Sequence, residues 1–267
     1  MGLSLEGIGC SPTPLALCLD GGRFSVQARW LDPADNSKGD GHSVALTDDT
    51  GYFWFFDPAN AELVLKTLDG RSVNGHFWTF YGALSNVEYE ITETDAQTGA
   101  ARRYVNPPGL LASVADTSAF GPLGFSAAGT VTLGLAGRPA SARIVERNPA
   151  VAPAATGCAA GATALCLAGN RFAVTATWRE VSGDSGTASV VPLSDDTGYL
   201  WFFSAANVEV MLKVLDGRAV NGRFWVFYGA LSDVEYTITV TDTETGAVRT
   251  YTNHAGTLAS IADTDAF

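Results

Sequence analysis

An all-β fold of two tandem antiparallel β-sandwich modules is what this sequence predicts, and three observations carry the prediction. The chain repeats itself: residues 10–120 align with 158–267, so that CSPTPLALCLDGGRFSVQARW answers CAAGATALCLAGNRFAVTATW and LDGRSVNGHFWTFYGALSNVEY answers LDGRAVNGRFWVFYGALSDVEY. Within each copy, apolar and polar residues alternate with a period of two, which marks strands with one wet face. With 29 Gly and 11 Pro in 267 residues, and no helical period in either copy, turns rather than helices punctuate the chain.

The elements follow in order. Phe24, Val26, Ala28 and Trp30 alternate with Ser25, Gln27 and Arg29, and Phe172, Val174, Ala176 and Trp178 repeat the pattern. A one-residue difference in length between the copies falls in the polar loop that follows. Strands are then predicted over 43–48, 51–57, 62–69, 76–84, 86–95 and 101–106, divided by Asp-Gly and Asn-Gly turns and by a hairpin in which Gly99, or Gly246, takes positive φ. Some strands break the alternation: GYFWFFD and HFWTFYGALS are aromatic on both faces. Such strands are either covered on both sides or turn aromatic faces to a partner.

The modules are bounded at 1–120 and 157–267. The stretch 121–156 between them is rich in Ala, Gly and Pro and reads as a semi-extended linker in which GTVTLGL makes one short strand. A period this long lets each copy fold by itself, so the pair is expected to resemble beads.

The cysteines fall as Cys10 and Cys18, then Cys158 and Cys166, the same spacing twice. In a Lys-poor β protein this predicts one local disulfide per module and an oxidising compartment. Each bridge would pin the N-terminal strand to the body. A metal site finds no support in a CxxC spacing. The three His do not recur either: His76 is answered by Arg223, His254 by Pro107, and His42 lies in the variable loop. That also removes Ser-His-Asp and Cys-His catalysis from any site common to both copies.

Net charge is −12, and the basic residues are scattered singly, which excludes the clustered cations that phosphate binding needs. No apolar run approaches the ~18–20 residues of a membrane span. The opening MGLSLEGIGC lacks the basic start and apolar core of a signal peptide.

Four constellations bear on chemistry. Asp-Thr-Gly occurs at Asp49 and again at Asp196, the tripeptide of bilobal aspartic proteases, whose two carboxylates share a proton. Against it, the next residues are the bulky Tyr52 and Tyr199, and a tight Asx turn explains the motif as well. The turn carboxylates Asp48, Asp49, Asp195 and Asp196, with Asp95, Asp116, Asp242 and Asp263, raise Ca2+ as a cofactor, although no loop has the spacing of a calcium cage. Lys66 and Lys213 are equivalent mid-strand lysines in a chain whose only other lysine is Lys38. They suggest either a Lys–Asn cross-link, with Asn74/Asn221 or Asn106/Asn253 as partner and Glu88/Glu235 as acid, or a salt bridge from Lys66 to Glu62 or Glu88. Finally, the six tryptophans are three equivalent pairs, Trp30/Trp178, Trp54/Trp201 and Trp78/Trp225. With Tyr52, Tyr81, Tyr199 and Tyr228, the Trp54 and Trp78 pairs would offer flat faces to sugar rings or to a protein hot spot, twice per chain.

The strings LCL, DDTGYxWFF, LDGRxxNGxFWxFYGALSxVEY and ADTxAF together resemble a module seen, often in tandem, in large secreted bacterial proteins, commonly near the C-terminus beside proteolytic or other extracellular domains. The resemblance covers both copies, and it implies secretion and an accessory role with no catalytic residue to carry over. The sequence reading is therefore a non-catalytic extracellular accessory or structural module that engages a surface, polysaccharide or protein partner, with no nucleic acid and no membrane span. A self-assembling fibre or stalk subunit is the alternative from the structural class, and an aspartic protease using Asp49 and Asp196 is the alternative from the enzymes.

Overall fold

The computed structural model describes residues 9–121, 129–132, 143–148 and 157–267. It is all-β, with four sheets, two in each copy. The first copy runs β1 (Leu17–Leu19), β2 (Phe24–Asp32), β3 (Ser37–Asp40), β4 (His42–Ala45), β5 (Thr50–Trp54), β6 (Leu63–Gly70), a single helical turn α1 (Arg71–Asn74), β7 (His76–Ala83), β8 (Glu88–Asp95), β9 (Ala101–Asn106) and β10 (Ser113–Phe120). The segment read as a linker then supplies β11 (Gly129–Thr132), as the GTVTLGL pattern predicts, and β12 (Arg143–Asn148), which the sequence reading did not anticipate. The rest of that segment, and the opening residues 1–8, lie outside the described residues. The second copy repeats the first: β13 (Leu165–Leu167), β14 (Phe172–Arg179), β15 (Ser185–Thr187), β16 (Ser189–Pro192), β17 (Thr197–Trp201), β18 (Val210–Gly217), α2 (Arg218–Asn221), β19 (Arg223–Ala230), β20 (Glu235–Asp242), β21 (Val248–Asn253) and β22 (Ser260–Asp263).

In each copy one sheet carries the N-terminal hairpin. Its order is β1-β2-β8-β9-β11 in the first copy and β13-β14-β20-β21-β12 in the second, with β3 and β15 pairing β2 and β14. The other sheet runs β10-β7-β6-β5-β4, and correspondingly β22-β19-β18-β17-β16. Ladders are antiparallel except where β11 lies parallel to β9. The alternating residues do what their period requires: Phe24, Val26 and Ala28 of β2 meet Leu63 and Leu65 of β6 and Phe77 and Tyr81 of β7 between the sheets. Phe172, Val174, Ala176, Val210, Leu212 and Tyr228 fill the second sandwich in the same way.

Local chemistry ends the strands. The aromatic run 51–57 leaves the sheet at Trp54, before Pro58, so Phe55 and Phe56 lie beyond the ladder. The strand expected over 43–48 stops at Ala45, because the Leu46 and Thr47 amides both turn back to the Thr50 carbonyl. In the β8–β9 hairpin the Asp95 carboxylate accepts the Gln97 amide and Gly99 closes the turn at φ 73°. Both disulfides are formed, Cys10–Cys18 and Cys158–Cys166, each with Cα atoms 5.6 Å apart.

The copies are not beads. A third apolar cluster contains Ala61, Val64 and Leu84 from one copy and Tyr199, Val208, Met211 and Leu231 from the other, flanked by Tyr52, Phe80, Val191 and Trp201. The outer face of β5-β6-β7 is thus laid on the outer face of β17-β18-β19. Gly82 sits against its own equivalent, Gly229, so closely that a Cβ on Gly82 would stand 2.8 Å from the Gly229 carbonyl carbon. Ser113 hydrogen-bonds its equivalent, Ser260, at 2.8 Å. Self-contacts of this kind mark a two-fold axis. The chain is a pseudo-symmetric pair, four sheets deep.

Candidate functional site

Strand periodicity places the lysines. In β6, Leu63 and Leu65 face their own sandwich, so Val64 and Lys66 face the other way, into the seam between modules. In β18, Met211 and Lys213 do the same. Both lysines are almost fully buried, 3% and 2% exposed. Each reaches across the seam to a turn of the other module. Lys66 Nζ donates to Asn207 Oδ1 at 2.9 Å and to the Val208 carbonyl at 3.2 Å. Lys213 Nζ donates to Asn60 Oδ1 at 2.6 Å and to the Ala61 carbonyl at 2.9 Å. Behind each carboxamide stands a buried glutamate: Asn60 Nδ2 donates to Glu62 at 2.7 Å and Asn207 Nδ2 to Glu209 at 2.5 Å. The Lys66 ammonium is 4.0 Å from the Glu209 carboxylate, and the Asn207 carboxamide bonds both. Phe80 and Phe227 close the two sites, their ring centres 5.4 and 5.3 Å from the nitrogens. Burial pulls both lysines below the usual ammonium range and pushes Glu62 and Glu209 above the usual carboxylate range, each opposed by its partner's charge.

This placement corrects the sequence reading of the lysines. The partners are Asn207 and Asn60 of the opposite module. Asn74 instead takes the Trp78 indole N–H and donates to the Thr117 carbonyl, and Asn106 donates to the carbonyls of Val87, Pro107 and Leu110. Asn221 and Asn253 do likewise in the second copy. The carboxylate facing Lys66 is Glu209 of the other module, not its own Glu62 or Glu88; Glu62 faces Lys213, and Glu88 and Glu235 line grooves on the outer sheets.

The aromatic platform is also redistributed. Tyr81 and Tyr228 lie fully buried in the two sandwiches. Tyr52, Tyr199 and Trp201 belong to the seam. Trp54 is half-buried and stacks on His42, ring centres 3.9 Å apart. Trp78 and Trp225 cover Gly70 and Gly217 of the neighbouring strand, and each donates its indole N–H to an asparagine at 2.9 Å. The aromatic pair repeated near the surface is a different one: Trp30 meets Phe56 edge-on at 4.6 Å, and Trp178 meets Phe203 at 4.7 Å, with Phe56 and Phe203 roughly half exposed. Beside them lie equivalent grooves of about 480 and 420 Å3, lined in common by Trp30/Trp178, Gly39/Gly186, Glu88/Glu235 and Tyr89/Tyr236.

The aspartates are structural in their contacts. Asp48 accepts the Gly21 amide and Asp195 the Gly169 amide, tying the loop to the N-terminal hairpin. Burial and then the neighbouring Asp48 push the Asp49 carboxyl up, while Lys66 pulls it down; burial and Asp195 act in the same way on Asp196. The carboxylates that raise Asp49 are Asp48 and Asp20, and those that raise Asp196 are Asp195, Asp216 and, from the other module, Asp57. Among the described residues no group of three or more His, Cys, Asp or Glu side chains converges as a metal cage. No helix among them is long and apolar enough to cross a membrane.

Three further groups were missed by the sequence reading. Asn60-x-Glu62 and Asn207-x-Glu209 are kept in both copies, and that repetition is the signal that was available. Trp30 and Trp178 were noted, but their Phe56 and Phe203 neighbours were not. Glu93 is fully buried in the first sandwich, where Thr67 and Thr79 each donate to it at 2.6 Å. Burial raises its carboxyl to about 7, against the pull of the two hydroxyls. The equivalents in the second copy are Val240, Val214 and Val226, all apolar. No family model, curated protein or solved structure matches the chain.

Proposed function

We propose that the chain is a non-catalytic structural unit of an extracellular protein, a stiff two-module body that holds what flanks it at a fixed separation. The observation that carries this reading is the seam. The second aromatic faces of the central strands, which would otherwise serve a ligand, are laid on each other and locked by reciprocal Lys–Asn contacts. Disulfides in both modules fit an oxidising setting. The test is equilibrium unfolding in guanidinium followed by tryptophan fluorescence and by far-ultraviolet circular dichroism. A stiff unit loses both signals in one coincident transition. Two separated transitions overturn the reading, as does acid proteolysis of a protein substrate that disappears in Asp49→Asn.

A second reading, engagement of a polysaccharide or protein surface, is favoured by the paired outer grooves and by the exposed Phe56 and Phe203 that pack on the groove tryptophans. Two equivalent weak sites on one stiff body gain avidity. Retention on insoluble polysaccharides, lost on Phe56→Ser/Phe203→Ser, supports it; no retention on any of them removes the sugar form of it.

A further inference from the structure

We propose that Lys66 and Lys213 are covalently joined to Asn207 and Asn60 by isopeptide bonds, so that two amide cross-links span the seam between the modules. The inference goes beyond a structural role for the unit and stands whatever that unit holds or binds.

The arrangement of atoms carries it. Each Nζ lies 2.9 or 2.6 Å from a carboxamide oxygen, so the carboxamide carbon is one bond beyond the atom it already touches. That approaches the ~3–3.5 Å separation at which bound groups react. An ion pair alone would set the ammonium on the carboxylate. Here the Asn207 carboxamide oxygen is the closer partner of Lys66, at 2.9 Å against 4.0 Å to the Glu209 carboxylate, and each glutamate is bonded to the amide nitrogen that would leave. The same triad of Lys, Asn and Glu is built twice, each time from both modules. Phe80 and Phe227 keep water from the amines, while Asn60 and Asn207 are partly exposed and give ammonia a way out.

The chemistry balances without an oxidant or a second reactant. The neutral amine of Lys66 attacks Cγ of Asn207, and the Nζ–Cγ bond forms. The protonated carboxyl of Glu209 gives its proton to Nδ2, the Cγ–Nδ2 bond breaks, and the carboxylate recovers a proton from Nζ. One amide replaces another, and one ammonia departs. Lys213, Asn60 and Glu62 follow the same course. Burial favours the forms this requires, since it disfavours the ammonium and the carboxylate alike.

Intact mass of the reduced, denatured full chain is the test. The expected mass is below that of the sequence by two ammonia molecules. Lys66→Arg should lose one ammonia fewer, and Lys66→Arg/Lys213→Arg should lose none. An unshifted mass in the folded natural chain overturns the proposal without any variant. So does an ammonia loss that persists in the double variant, because asparagine cyclisation needs no lysine. A second readout is independent of mass: with a protease site inserted between residues 133 and 142, the cleaved halves stay together on a denaturing, reducing gel, and separate in the double variant. Separation of the natural halves overturns the proposal.

Discussion

At Glu93 the two copies part company. A fully buried carboxyl held by two threonine hydroxyls is raised by burial to about 7 against an ordinary 4.5, with Asp116 and Asp95 adding to the shift. Its folded value is raised, so the penalty for ionising it in the sandwich is absent below pH 4.5 and grows as pH rises through about 7. Stability should therefore fall across that window by about 3 kcal/mol from this group alone. The second copy supplies its own control. Thr67→Val/Thr79→Val/Glu93→Val rebuilds the Val214, Val226 and Val240 solution in the first copy, and its unfolding free energy should exceed the natural chain's at pH 8 but not at pH 4. Equal pH profiles would show that the carboxyl is not the source. The sequence made Lys66 and Lys213 conspicuous, as charges in the middle of apolar strands. It did not show that they reach into the other module: proximity in sequence matches Glu62 with Lys66 of its own copy, and distance along the chain between Lys213 and Asn60 or Glu62 says nothing of their distance in space.

Each element was largely legible where the alternation was clean. The strands β2 and β14, the Gly99 hairpin and the N-terminal disulfide followed from period, turn chemistry and cysteine spacing. The edge strands β3, β10 and β12 did not, since few of their residues carry a hydrophobic period. The bridge closes a loop of eight residues, so Cys10→Ser/Cys18→Ser should cost about 2.5 kcal/mol in a denaturant titration. The β7 and β19 strands depend on a different economy of space. Gly82→Val places atoms where the Gly229 backbone lies, and overpacking of this kind costs on the order of 1–3 kcal/mol. Its loss should appear as a split of the single unfolding transition into two, with each sandwich still formed; an unsplit curve would mean that the seam tolerates the added carbons.

For the whole molecule, the duplication was evident in the sequence and the docking was not. Tyr52, Phe80 and Trp201 announce that the aromatic strands are covered on both sides, but a pattern of residues cannot say by what. The cover is the sister copy, through an interface whose two sides are equivalent. It follows that residues 1–120, expressed alone, expose Val64, Phe80 and Leu84 on a face already complementary to itself. Light scattering should find that fragment as a dimer, and a monomer at every concentration would argue that the copies have diverged past self-recognition.

The pseudo-two-fold axis between Gly82 and Gly229 also sets a rule of parity. A face that mates with its own kind is satisfied by an even number of copies and left bare by an odd one. Any longer array of this unit would therefore grow by couples, and a chain carrying a lone third copy would have to borrow its mate from another molecule.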